Sequence, residues 1–293
     1  MKIVMVSFVT GIIAAFIMAV CAFIQKKAGE RALYGAGGLL IILSYAAGHL
    51  LLSGIPPVFE RGFNMPADHW NLLIALAAFI PFVAAEYIFK LDLLKYIVRF
   101  AFVFSGLFLV LQVPYITTSW TPLTSLIVLG GISLAAVILL LGSGMSSALG
   151  DNRVNYPMML MVPLSATAVL GMSSTISLSV LSAQVFAAAA ALVVISFILP
   201  KLKLQAPRLA MKEVLGVIYI MVLFFLLEGY FFADVRMASL ILTAGSMAVP
   251  GIAGMISAPG DGVKMGGRPV FISVAIAGLM NLISIATALV MNG

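Results

Sequence analysis

The stretch "EYIFKLD", Glu86 to Asp92, sets the problem, because it puts charge in a chain that has almost none. A second stretch, "EGYFFAD", runs from Glu228 to Asp234. Each begins with Glu, continues with aromatics and closes on Asp six residues later. Both follow long apolar runs. The first Glu sits near the end of the third run and the second near the end of the eighth. A motif returning after an odd number of membrane crossings returns upside down, so the pair predicts two five-helix repeats of opposite orientation.

Composition supplies the frame for that reading. The chain has 293 residues, of which 63% are hydrophobic and 9% charged. A soluble domain carries about 25% charged residues. This chain lacks the polar surface to cover a globule in water, so it reads as an all-α integral membrane protein. A helical span needs about 20 apolar residues. The runs fall at 3–24, 33–54, 70–89, 94–115, 122–142, 157–175, 177–199, 213–233, 237–257 and 269–291, which predicts about ten transmembrane helices. The apolar stretches 70–115 and 157–199 are each too long for one crossing. They break at "KLDLLK" (Lys90 to Lys95) and at "SSTIS" (Ser173 to Ser177). The organisation is then a first repeat over 1–142, a connecting loop over 143–156 and a second repeat over 157–293. No loop is long enough to fold alone. In the longest, "SGIPPVFERGFNMPADHW" (Ser53 to Trp70), Trp70 reads as an anchor at the membrane interface.

Charge sorts by side once ten spans are drawn. Of the 16 Lys and Arg, all but Lys2, Arg61 and Arg236 fall on one side. That side is cytoplasmic by the positive-inside rule, which puts both termini on the non-cytoplasmic side. The net charge of +6 therefore reads as topology-setting, and no nucleic-acid partner is expected. The inner membrane of a bacterium is the expected location. The apolar run Ile3 to Ile24 is longer than a cleaved signal's core of about 7–15 residues, so the first helix is expected to be retained. Cys21 is the only cysteine, which excludes an internal disulfide. Val20 before it does not suit a lipoprotein signal.

Polar groups inside spans carry the functional expectation. Glu86 and Glu228 are read as coupling groups, because a carboxyl held in an apolar interior can take up and return a proton. Asp92 and Asp234 lie at loops beside Lys90, Lys95 and Arg236, and read as helix-end charges. Tyr45, His49, Gln112, Gln184 and Asn281 also lie within spans. Each alone reads as a helix–helix hydrogen bond, save His49, which near the end of its span reads as an interfacial residue; together they could line a polar cavity. The substrate- or ion-binding set expected from the sequence is thus Glu86, Glu228, Gln112, Asn281 and Tyr45. Pro81, Pro163 and Pro250 free backbone carbonyls within spans, and "GSMAVPGIAG" (Gly245 to Gly254) offers small residues for close packing.

Other chemistry finds little footing. "GDGVKMGG" (Gly260 to Gly267) lacks the Lys-Ser/Thr ending of a phosphate loop and reads as a turn. There is no HExxH, no DxxxD pair and, with only His49 and His69, no credible Ser/His/Asp set. An enzyme is not expected, nor a cofactor, nor coupling to ATP.

Ten spans in under 300 residues, arranged five plus five, resemble the drug/metabolite transporter superfamily of EamA type. "AFIQKKAGER" (Ala22 to Arg31) is similar to a Gln-Lys-Lys stretch in the branch that includes magnesium-transporter-like members. The Gly-Glu pair that typical members carry before the fifth and tenth spans is absent from "TTSWTPLTS" (Thr117 to Ser125) and "GVKMGGRPV" (Gly262 to Val270). The basic loops follow the first and seventh spans rather than the second, which implies the opposite orientation or a distant relation. The resemblance implies transport of a small metabolite or ion through a cavity between the third, fourth, eighth and ninth spans. Three readings stay open at this point. One is a gradient-coupled transporter of a small solute. Another is a divalent-cation carrier using carboxylates with Gln and Asn oxygens. The last is a non-catalytic structural subunit of a larger membrane complex, where a partner chain or a second copy would complete the assembly.

Overall fold

The computed structural model describes residues 2–28, 36–57, 67–148, 152–173, 175–202, 211–257 and 267–292. The loop motif Gly260 to Gly267 lies outside the described residues save its last glycine, as do Lys203, Arg208 and Lys264. Every described element is helical. In chain order they are α1 (Lys2–Ala28), α2 (Ala36–Ser53) and α3, which runs from Ala67–Ala77 through Ile80–Ala84 to Ala85–Ile88. Then come α4 (Asp92–Leu111), α5 (Pro122–Ala148), α6 (Asn152–Met172), α7 (Ile176–Lys201), α8 (Met211–Phe232), α9 (Met237–Ser257) and α10 (Gly267–Asn292).

Nine of these are long and apolar enough to cross a membrane, and α9 contributes a shorter apolar helix, Met237–Ala253. Both long stretches divide where the polar residues are. The first breaks between Ile88 and Asp92, the second between Met172 and Ile176. Large apolar side chains cover the outside, among them Phe16, Leu93, Phe271 and Val290. Such a surface suits hydrocarbon, since lipid lets a helix stay apolar on every face. The expected loop 143–156 is mostly helix, for α5 reaches Ala148 and α6 starts at Asn152.

The packing is built around α8. Its span is 89% buried, against 28% for the spans of α1 and α10. It touches α2, α3, α5, α6, α7 and α9. Tyr219, Phe224 and Phe225 are among its fully buried side chains. Small residues admit the rings: a Cβ on Gly106 of α4 would stand 2.6 Å from the Phe224 ring, and one on Gly216 would stand 2.9 Å from that of Phe82. Around this axis, α1 lies along α7 and α5 along α9. Exchanging the two halves would map those pairs onto α2 with α6 and α4 with α10. Neither of these forms a comparable interface among the described residues.

Two helix ends show local control of the chain. Gly54 takes φ 80° just after α2, and its N–H bonds back to the Leu50 carbonyl at 3.1 Å. Asp234 takes φ 54° after α8, with Ala233 and Val235 both donating to the Gly229 carbonyl. This is a helix terminator usually given to glycine. Asp92, in turn, opens the first turn of α4 and pairs with Lys95 at 2.9 Å. Both aspartates of the opening motif are helix-end groups. Asp234→Gly is accordingly expected to keep or slightly raise the unfolding temperature, and Asp234→Val to lower it, since a β-branched residue resists positive φ. Thermal unfolding of the two purified variants checks this.

Trp70, expected at the interface, is only 8% exposed and belongs to the core. The helix α3 carries it inward beside α2 and α8.

Candidate functional site

The polar groups of the interior gather at the two ends of the α3–α8 pair. These helices run antiparallel, so the start of one lies beside the end of the other. At one end, Asn71 of α3 donates from Nδ2 to Oε2 of Glu228 at 2.8 Å. At the other, the Tyr87 hydroxyl of α3 donates to Oε1 of Glu213 at 2.8 Å. Glu228 is 2% exposed and Glu213 4%. Fifteen residues of helix separate the two carboxylates, about 22 Å at 1.5 Å per residue.

The Glu228 end is the richer in groups that can exchange protons. His49 of α2 and His69 of α3 approach at 3.5 Å between Nε2 and Nδ1. Both are buried. Tyr45, one turn before His49, is fully buried, with its ring centroid 6.0 Å from that of His49 and 5.9 Å from that of Phe225. Phe225 is one turn before Glu228 on α8. Three helices, α2, α3 and α8, thus bring a phenol, two imidazoles, a carboxamide and a carboxylate into one layer. The neighbouring end of α4 is latched to α8 by the Tyr115 hydroxyl, which donates to the Phe231 carbonyl.

The Glu213 end is an ion-pair anchor. Glu86 receives Arg99 Nη2 on one oxygen at 2.5 Å and faces Lys95 Nζ from the other at 3.2 Å. Arg99 is itself 4% exposed, donates from Nε to the Pro81 carbonyl at 3.3 Å and stacks over the Phe82 and Tyr96 rings. Pro81 lies in a π-helical turn, Ile80–Ala84, of the kind a proline without N–H produces by displacing the usual backbone bonds. The guanidinium therefore closes the break in α3 while neutralising Glu86.

The five residues expected to form one site do not all come together. Glu86 and Glu228 stand at opposite ends of α3 and α8. Tyr45 is beside the Glu228 layer. Gln112 opens a second π-helical turn, Gln112–Ile116, and its carbonyl accepts the Thr117 N–H at 3.0 Å. Asn281 belongs to a separate ladder, donating to Ser246 Oγ at 3.0 Å and to the Ala277 carbonyl at 2.9 Å. That ladder continues through Ser165, Ser239, Thr243 and Ser284, tying α6, α9 and α10 together. Such bonds average about 0.6 kcal/mol in membranes. Asn281→Val is expected to lower stability by about that amount and to leave any transport intact, as thermal unfolding and uptake measured side by side will show.

Asn71, Glu213 and the buried Arg99 were not singled out by the sequence. Glu213 follows Lys212 at the edge of a span and looks like an interfacial charge. The available signal was spacing: Asn71 and Tyr87 are 16 residues apart on α3, and Glu213 and Glu228 are 15 apart on α8, so the two pairs match across antiparallel helices.

No group of three or more His, Cys, Asp or Glu able to hold a metal occurs among the described residues. A cleft of about 450 Å³ between α5, α8 and α9 is lined by apolar residues such as Leu223, Leu227 and Ile241. It offers nothing to a polar solute. No family model matches the chain, and no curated protein matches it.

Proposed function

We propose that the chain is a secondary transporter of a small solute, coupled to protons through Glu228. The observation that supports this most is a carboxylate at 2% exposure on the helix that all its neighbours surround, held by a neutral carboxamide. Placing such a group in the membrane interior costs about 2.5–3.5 kcal/mol on insertion scales, which makes it a functional candidate by default. Tyr45, His49 and His69 lie at the same end of the bundle, and the two imidazoles, 3.5 Å apart, can pass a proton between them. Glu86 has a different part: with two cations on it, it is a fixed anchor. Glu86 and Glu228 do lie at opposite ends, as an inverted repeat of EamA type requires, and the repeat is retained here as part of the proposal. So is the orientation with the basic loops in the cytoplasm of a bacterial inner membrane.

The test is solute-driven proton movement. Proteoliposomes holding a pH-sensitive dye are challenged with a panel of amino acids, organic amines, sugars and nucleosides. A response expected in the wild type should vanish in Glu228→Gln. An unchanged response in that variant sinks the coupling role.

One observation favours a second reading. The helix α8 fills the centre where a substrate cavity would lie, as a scaffolding subunit would have it. Co-purification of a stoichiometric membrane partner, together with silence toward the whole panel, would establish that reading instead.

A further inference from the structure

We propose that the cleft between α6 and α7, at the end of the bundle where Arg153 lies, is a binding site for one anionic phospholipid. The cleft has a volume of about 810 Å³. That falls within the about 300–1,000 Å³ typical of ligand sites. Arg153, Tyr156, Pro157, Leu160 and Met161 form one wall, and Ser196 and Phe197 the other. The first five recur at the spacing of a single helix face, so the wall runs along α6 for about two turns.

Polarity falls steadily along that wall. Arg153 is exposed at the mouth. Lys201, also exposed, lies in the last turn of α7, one turn beyond Phe197 and on the same side of the helix. Below them the half-buried Tyr156 sets its ring edge-on to Phe197, with centroids 5.7 Å apart. Deeper still come Leu160 and Met161. The one hydroxyl of the opposite wall already has a partner, since Ser196 Oγ donates to the Leu192 carbonyl at 2.8 Å. The described lining holds no carboxylate.

A phospholipid has the same order of groups. Its phosphate would stand at the level of Arg153 and Lys201, its glycerol beside the amphipathic Tyr156 ring, and an acyl chain against Leu160, Met161 and Phe197. Basic pockets between spans recognise anionic headgroups in this way, through charge at the interface and apolar contact below it. A zwitterionic choline headgroup brings its own cation to the same place and would be disfavoured. The site is independent of Glu228, which lies on α8 at the other end of the bundle.

The experiment is native mass spectrometry of the purified chain with phosphatidylglycerol or phosphatidylcholine of identical acyl chains, alongside thermal unfolding. Phosphatidylglycerol should be retained at least several-fold better and should raise the unfolding midpoint. The double variant Arg153→Gln, Lys201→Gln, which changes only exposed side chains, should retain the two lipids alike. Leu160→Trp, filling the cleft, should lose the bound lipid, and Arg236→Gln, removing a cation elsewhere, should change nothing. Glycerol phosphate without acyl chains should give no stabilisation. Equal retention of both lipids by the wild type overturns the proposal. So does a phosphatidylglycerol preference that survives the double variant, or stabilisation by glycerol phosphate alone.

Discussion

Glu228→Gln is expected to leave the protein folded and to remove proton coupling entirely. The carboxamide has nearly the shape of the carboxyl, and its oxygen can still accept the Asn71 Nδ2 hydrogen bond now made at 2.8 Å. Its stability should therefore stay within about 0.5–1.5 kcal/mol of the wild type, the net worth of one ordinary hydrogen bond. What it cannot do is gain and release a proton. Glu228→Ala makes the contrast. It strips Asn71 of its acceptor in a site that is 1% exposed. An orphaned buried donor costs about 1–3 kcal/mol, and that loss should appear as a lower unfolding temperature. A glutamate serving only as a helix–helix tie would behave the other way: the Gln variant would be silent in every assay. The pair of variants thus separates a chemical role from a packing role.

The second large effect is expected at Arg99. Arg99→Met keeps an unbranched stem but removes the guanidinium, and with it the charge on Glu86, the donor to the Pro81 carbonyl and the stacking over the Phe82 and Tyr96 rings. Breaking a buried pair from one side costs about 3–5 kcal/mol, because the remaining charge stays in the interior. Lys95 still faces the other oxygen of Glu86, so the loss should fall near the lower end of that range. Pairing the variant with Glu86→Gln should recover part of it, since the uncompensated carboxylate is then gone. Chemical or thermal unfolding of the two single variants and the double variant measures this. An unfolding midpoint unaltered by Arg99→Met would show that the anchor does not hold the broken end of α3.

A third substitution tests close packing between spans. A Cβ on Gly48 of α2 would stand 2.2 Å from Thr10 Oγ1 and 2.9 Å from Gln184 Oε1. Gly48→Ala should lower stability by about 1–3 kcal/mol through overpacking, because the Thr10 hydroxyl and the Gln184 carboxamide would have to give way.

Much of the layout was legible along the chain. The apolar runs and their breaks depend on length and polarity, which are one-dimensional, and the boundaries at Ile88/Asp92 and Met172/Ile176 fell where the polar residues stand. The lateral arrangement was not legible in this way. A helix in lipid is apolar whether it faces lipid or protein, so no stripe marks the inward side. Both α8 and α1 are strongly apolar, yet one is enclosed and the other faces outward. For the same reason nothing along the chain marks Glu213 and Arg99, both near span ends, as buried. Glu213 is covered by a distant part of the chain, through Tyr87, and Arg99 by the helix just before its own, through Glu86. The opening pair of motifs pointed to Glu86 and Glu228. It did not show that one glutamate is neutralised by two cations while its counterpart rests on a carboxamide.

On the proposed mechanism Glu228 exchanges its proton with water while held inside the membrane. Infrared difference spectroscopy of the reconstituted protein across a pH titration reads this directly, without knowledge of the solute. A carboxylic-acid carbonyl band should appear and disappear reversibly with pH in the wild type and be missing from Glu228→Gln. A titrating band that persists unchanged in Glu228→Gln, or a Glu228 carboxyl that never titrates, would contradict it.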